Sequence, residues 1–242
     1  MSNASSYKLA RFYLELQDMN WPAKFGTVID EYVQCTGINL CKYSLNYKPL
    51  RRFDRETLLR ELNRRSLADF EMLSVEEQEG ALGLHTVATF GPLDVAGVYE
   101  YVFAFRSNQD FTNQFTVLAE SMARAGELLY GYGRGLSSNF EPVSENRITR
   151  SFFGGIAVKG QHPVKEWLEH PREIREGAIK GIYGLNLISS RRAQKPIPWL
   201  GADKIQSAVR VSDCLLVQLS KEELARAKTR KDIGRFVRED MD

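Results

Sequence analysis

His162, Glu166, Glu169 and His170 fall at i, i+4, i+7 and i+8, the spacing at which one helix face could offer ligands to a metal ion. Both histidines stand directly before proline, which biases them away from helical geometry. The helix is therefore expected between them, as surface and capping positions, and no metal site is expected. His85 is the remaining histidine and has no motif around it. Nucleophile chemistry finds equally little: there is no Gly-x-Ser-x-Gly elbow, and three histidines leave few partners for a serine or cysteine.

The glycine cluster Gly131-Tyr132-Gly133-Arg134-Gly135 invites comparison with phosphate-binding loops. Such loops need converging backbone N–H groups followed by a helix N-terminus, and the nucleotide version also needs Lys-Ser or Lys-Thr. Neither follows here. The cluster reads instead as a strand whose glycines allow a bulge or close packing. Cys35, Cys41 and Cys214 form no Cys-x-x-Cys pair, and Cys35 and Cys214 sit among apolar residues, as buried thiols do. No catalytic residue, metal or cofactor is expected from these patterns.

Binding chemistry is better represented. Trp21, Tyr47, Tyr130, Tyr132, Tyr183 and Trp199 lie near turns, and Tyr, Trp and Arg anchor protein interfaces. Of these, Tyr130, Tyr132 and Trp199 are the expected partner-binding anchors. The acidic stretch Glu76-Glu77-Gln78-Glu79 reads as an exposed turn, so Glu76, Glu77 and Glu79 are expected to join them. Basic clusters occur at Arg51-Arg52, Arg64-Arg65, Arg191-Arg192 and from Lys228 to Arg238. The last is interleaved with acids and reads as a solvated amphipathic tail; without a stacking platform it does not predict nucleic-acid binding.

The elements that must position these residues follow from periodicity. Ala10, Phe12, Leu14 and Leu16 alternate with Arg11, Tyr13 and Glu15, a half-buried strand. Asn20 before Trp21-Pro22 suits an N-cap, and Gly37 ends the helix that follows. Cys41 to Tyr47 alternates again, Asp54 caps a helix carrying Leu58, Leu59 and Leu62, and a short strand is expected from Phe70 to Val75. Val98 to Phe105 is aromatic and β-branched almost throughout, as a central strand is. Asp110 opens a helix with the stripe Phe111, Phe115, Leu118 and Met122, closed by Gly126; Leu128 to Leu136 is the glycine-rich strand. Short helices are expected at 163–170 and 202–208, strands at Ile182 to Ile188 and Cys214 to Leu219. Ser220-Lys221-Glu222-Glu223 is a capping box for a last helix.

About seven strands and six helices interleave irregularly, several strands in pairs. The reading is an α+β fold: a mixed or mainly antiparallel sheet with helices packed on one face, built from two loosely similar halves with a seam near 137–162, in one domain over 1–242. Residues 1–6 are small and polar and take no part in that reading. Hydrophobic residues at 43% support a core without disulfides or metals, and three cysteines in 242 residues exclude a secreted disulfide scaffold. With 33 basic against 31 acidic residues, no global field favours nucleic acid or an anionic membrane. No apolar run reaches spanning length and no signal peptide opens the chain, so a cytoplasmic protein is expected.

Two segments carry a family resemblance. Gly177 to Ser189 reads Gly-Ala-Ile-Lys-Gly-Ile-Tyr-Gly-Leu-Asn-Leu-Ile-Ser, with Tyr183, Asn186 and Ser189 in a Y-x-x-N-x-L/I-S strand; Asp213 to Ser220 carries the apolar Leu-Val-Gln-Leu run. Over residues 98–220 the chain resembles the immunity proteins of bacterial type VI secretion and related polymorphic toxin systems. The resemblance implies a cytoplasmic antidote that binds a cognate toxin or effector and does no chemistry. Antidotes to nuclease toxins are often strongly acidic, whereas this chain is slightly basic. The implication is then a toxin other than a nuclease, or a local acidic patch such as Glu76, Glu77 and Glu79. Two other readings stay open: an enzyme using a histidine with carboxylates, and a homodimeric interaction module.

Overall fold

The alternation in the first strand and its recurrence along the chain build one large antiparallel sheet. The computed structural model describes residues 7–16, 20–77, 87–92, 97–106, 110–136, 147–150, 156–159, 181–190 and 208–228. Ten strands join in the order β11-β12-β10-β7-β1-β6-β5-β4-β2-β3, every neighbouring pair antiparallel. They are β1 (Tyr7–Glu15), β2 (Leu40–Leu45), β3 (Arg51–Arg52), β4 (Leu73–Glu77), β5 (Val87–Pro92), β6 (Val98–Phe105), β7 (Glu127–Leu136), β10 (Leu185–Ser189), β11 (Val209–Val211) and β12 (Cys214–Gln218). A separate pair, β8 (Arg147–Arg150) and β9 (Ile156–Lys159), falls within the expected seam. The α+β class is thus established, with an antiparallel sheet. In that sheet β1 and β7 lie side by side, with the strands of residues 40–105 on one flank and those of 185–218 on the other.

Among the described residues three helices cover one face: α1 (Trp21–Thr36), α2 (Arg55–Leu62) and α3 (Phe111–Ala125). Each ends where local chemistry ends it. Gly37 takes the left-handed conformation (φ 73°) and its N–H reaches the Val33 carbonyl. The Asp54 and Asp110 carboxylates accept from Thr57 N (2.7 Å) and Thr112 N (3.0 Å), capping α2 and α3. Asn20 differs from expectation. Its side chain makes no capping bond, and the turn is closed by its carbonyl, which accepts from Lys24 N. Phe115, Leu118 and Met122 are fully buried beneath α3, each removing roughly 2 kcal/mol worth of apolar surface from water. Further along, Phe90 lies within 6 Å of five rings, those of Trp21, Phe25, Phe70, Tyr99 and Tyr101.

The glycines of β7 explain how α3 sits so close. Gly131 and Gly133 face this core, where a Cβ would stand 2.7 Å from the Phe12 ring and 2.9 Å from the Phe115 ring. The cluster is a packing device, as the missing phosphate-loop context suggested. At Gly126 the Glu15 carbonyl oxygen occupies the space a Cβ would need, and the backbone there is extended (φ −166°), so close approach selects glycine.

The opposite face is buried as well. Tyr7, Leu9, Tyr13, Val102, Tyr130, Tyr132, Tyr183 and Ile188 form a second cluster, against which Leu224 of α4 (Lys221–Lys228) packs. Helices on one face therefore describes α1–α3 and not α4. Arg11 and Tyr13, expected to face outward, are 2% and 0% exposed. The capping box of α4 forms as written: Ser220 N–H donates to Glu223 Oε2 (2.8 Å) and Glu223 N–H to Ser220 Oγ (3.2 Å). Among the described residues no helix is long and apolar enough to cross a membrane.

Candidate functional site

On the second face the strand register aligns one row across eight strands: Ser44, Ser74, Thr89, Val102, Arg11, Tyr132, Asn186 and Val217. All are buried, and most are polar. Arg11 Nη1 meets Glu100 Oε1 of β6 at 3.1 Å. Tyr13 and Tyr130 stack 5.8 Å apart, and Tyr132 stacks on Tyr183 at 4.0 Å. The Arg134 guanidinium lies over the Tyr183 ring, and Tyr130 Oη donates to Gly181 O (3.2 Å). Asn186, fully buried, holds Tyr183 at both ends: its Oδ1 accepts from Tyr183 N (3.0 Å) and its Nδ2 donates to Tyr183 O (2.6 Å). The Tyr-x-x-Asn spacing is thus a local clamp that fixes the chain entering β10.

This stripe is built for shape. Burial first, and the nearby Glu100 carboxylate second, push the Tyr13 phenol up, so it stays protonated at neutral pH. Burial likewise pushes the Cys35 thiol up to about 11 and the Cys214 thiol up to about 12. Cys214 lines a cavity of about 440 Å³ with Glu127, Ser189, Ser190 and Asp213, yet its Sγ–H is spent on the Leu128 carbonyl (3.3 Å). At neutral pH both thiols are held protonated. Among the described residues, no three His, Cys, Asp or Glu side chains gather to hold a metal ion.

The expected binding residues are dispersed. Tyr130 and Tyr132 are interior (1% and 0% exposed), because β7 is covered on both faces, and cannot serve as surface anchors in this fold. Glu76 and Glu77 are not an exposed turn. They are the half-buried end of β4, where Glu76 lies opposite Lys42 and accepts from Ser74 Oγ, and Glu77 accepts from Asn39 N. Glu79, Trp199, His85, His162, His170 and the short helices expected at 163–170 and 202–208 (all but Ala208) lie outside the described residues, as does the tail beyond Lys228.

The structure brings a different set to the surface. Residues 47–52, Tyr-Lys-Pro-Leu-Arg-Arg, are all exposed at the β2–β3 hairpin, with Tyr47 at 71% and Leu50 at 47%. Asn46 and Tyr47 both carry positive φ (51° and 57°), the pattern of a type I′ turn. Asparagine tolerates that region; tyrosine occupies it at a cost of about 1 kcal/mol. Four hydrogen bonds enforce it. Asn46 N donates to Met72 O (2.7 Å) and Nδ2 to Asp69 O (2.9 Å), while Oδ1 accepts from Glu71 N and Met72 N. Beside the turn, Leu40, Leu50, Phe53, Lys42, Arg51 and Arg52 line a groove of about 460 Å³. Tyr47 was legible as a turn-associated aromatic. Its exposure was not, because the pattern Cys41-Tyr43-Leu45-Tyr47 continues the strand's buried side through the turn.

The fold so described has a counterpart among solved structures, while no protein-family model and no curated protein matches the chain. A structure described as Pseudomonas aeruginosa T6SS protein PA0821 is similar in fold, with a TM-score of 0.57 at 13% sequence identity. The likeness covers 88% of this chain and 65% of that one, so this chain spans somewhat under two thirds of its neighbour's length.

Proposed function

We propose that this chain is an immunity protein: a cytoplasmic, non-catalytic binder that neutralises a cognate bacterial toxin or effector domain of the type VI secretion or polymorphic-toxin kind. The observation that carries the reading is the fold-level likeness to a T6SS protein over 88% of the chain. The Tyr183-x-x-Asn186 strand and the apolar Leu216-Val217-Gln218-Leu219 run carry the sequence resemblance to the immunity proteins of such systems. Two features of the molecule suit a binder. The sheet is rigid, buried on both faces and locked by aromatic stacking, so a surface built on it is preorganised and loses little entropy on association. The hairpin at its edge presents a fixed aromatic knob beside a groove, the kind of anchor that dominates interface energetics.

The test is neutralisation. The product of the adjacent gene is expressed in a bacterial host with and without this chain. Rescue of growth together with a co-purifying complex is the expected result. Continued killing at equal expression, with no complex, would remove the immunity reading.

A further inference from the structure

We infer that the β2–β3 corner, Tyr47 with Leu50, Lys42, Lys48, Arg51 and Arg52, is a docking surface for an acidic, extended segment of a partner protein that carries an apolar side chain. Three observations converge. The first is geometry held against its own preference. Tyr47 sits in the left-handed region with its ring in solvent, and Asn46 beside it is tied to the segment 69–72 through its backbone N–H and both polar atoms of its side chain. A turn selected only for folding would carry glycine or asparagine at that position. An exposed aromatic held rigidly at a strained site is an anchor available without ordering cost.

The second is charge. The groove lining contains Lys42, Arg51 and Arg52 and no carboxylate. The nearby acids offset part of this charge: Glu61 bonds Arg51 (2.8 Å), Glu76 lies opposite Lys42, and Asp54, which caps α2, is attracted by Arg52. Lys48 adds a further exposed cation at the turn. The apolar walls Leu40, Leu50 and Phe53 give the groove a place for one aliphatic side chain between the cations.

The third is the sheet edge. Among the described residues β3 is the last strand of the sheet and pairs only with β2, so its outer backbone groups face away from these strands. An extended segment laid along Arg51–Arg52 would add main-chain hydrogen bonds to the ion pairs. The shortness of β3 and its two arginines guard the edge against copies of itself, which would bring like charges together. The same cations select an anionic partner.

This inference deepens the binding role proposed above and takes from it only that the partner is a protein. The experiment is a titration of the full chain, labelled for amide NMR, with a synthetic peptide of alternating Glu and Leu. Its Lys-for-Glu counterpart and an oligothymidylate serve as second and third probes. The Glu/Leu peptide is expected to shift the amides of residues 47–53, and the Lys peptide is not. Arg52→Glu should weaken that binding at least tenfold. Tyr47→Gly should weaken it as well while leaving the thermal midpoint unchanged or raised, which separates a lost anchor from a lost fold. No binding, shifts away from the hairpin, or affinity indifferent to Arg52→Glu overturns the inference. Tighter binding of oligothymidylate at the corner overturns it in favour of a nucleic-acid surface. Failure of the neutralisation test with the peptide result intact removes the immunity reading alone. Neutralisation undiminished by Arg52→Glu and Tyr47→Gly removes the corner alone.

Discussion

Arg11 is among the largest fully buried side chains of the described residues, and Glu100, its partner across the β1–β6 ladder, is only 19% exposed. A buried pair of this kind contributes little net stability over well-packed apolar groups, because desolvation offsets most of the attraction. Losing one member is different, since the survivor stays in a site with little water. Arg11→Met alone is therefore expected to lower the unfolding free energy by roughly 3 kcal/mol. Arg11→Met combined with Glu100→Met should recover most of that loss. Urea unfolding of the two single variants and the double gives the coupling energy directly. Additive losses would mean that the two charges do not depend on each other. In the sequence Arg11 is indistinguishable from an outward polar residue, since period-two alternation assigns it to the solvent face. The pattern reports which residues share a face but not whether that face is covered.

At the scale of elements, β7 shows what the sequence could and could not tell. Its glycine spacing was legible as a strand that something approaches closely. The approaching group, the ring of Phe115 one helix earlier, depends on how α3 crosses the sheet, which only tertiary packing decides. The consequence is position-specific. Gly131→Ala and Gly133→Ala place a methyl at 2.7 Å and 2.9 Å from aromatic rings of the core and should each cost about 1–3 kcal/mol. Gly135→Ala on the same strand meets nothing nearer than 4.0 Å and should be neutral or mildly stabilising. Equal effects at the three positions, read by denaturant midpoints at constant m, would sink the packing account. Capped helices were the most legible elements, because Asp54, Asp110 and Ser220 announce themselves within three residues of the groups they satisfy. Ser220→Ala should loosen α4 by about 1 kcal/mol, seen as faster amide exchange from Glu223 onward with the sheet amides unchanged. The acidic end of β4 was misread for the complementary reason. Glu76-Glu77 has the composition of a turn, and only its ladder with Leu40 and Lys42 makes it strand.

Burial of both faces of the sheet gives the whole molecule a dependence on alkaline pH that neither face would give alone. Tyr13 lies in the second cluster and Tyr32 and Tyr101 in the first, and desolvation raises all three phenols above their ordinary value of 10.0. Cys35 and Cys214 are raised from 9.0 to about 11 and about 12. In the unfolded chain these groups release protons near their ordinary values, while the folded protein still holds them. Between those limits the unfolded state binds fewer protons, so unfolding becomes easier as pH rises. Their contribution is complete below about pH 9 and is lost first through the thiols, toward about 12, and then more steeply once the phenols join above 10. Each group ionised only in the unfolded chain lowers stability by about 1.4 kcal/mol per pH unit. Urea unfolding at successive pH values should show this decline. Cys35→Ala with Cys214→Ala should delay its onset by about one pH unit, to where tyrosine ionises. Stability that stays level to pH 11 would mean that water reaches these side chains in the native state. A sheet hydrated in that way could not be the rigid base on which the hairpin anchor and its proposed partner contact depend.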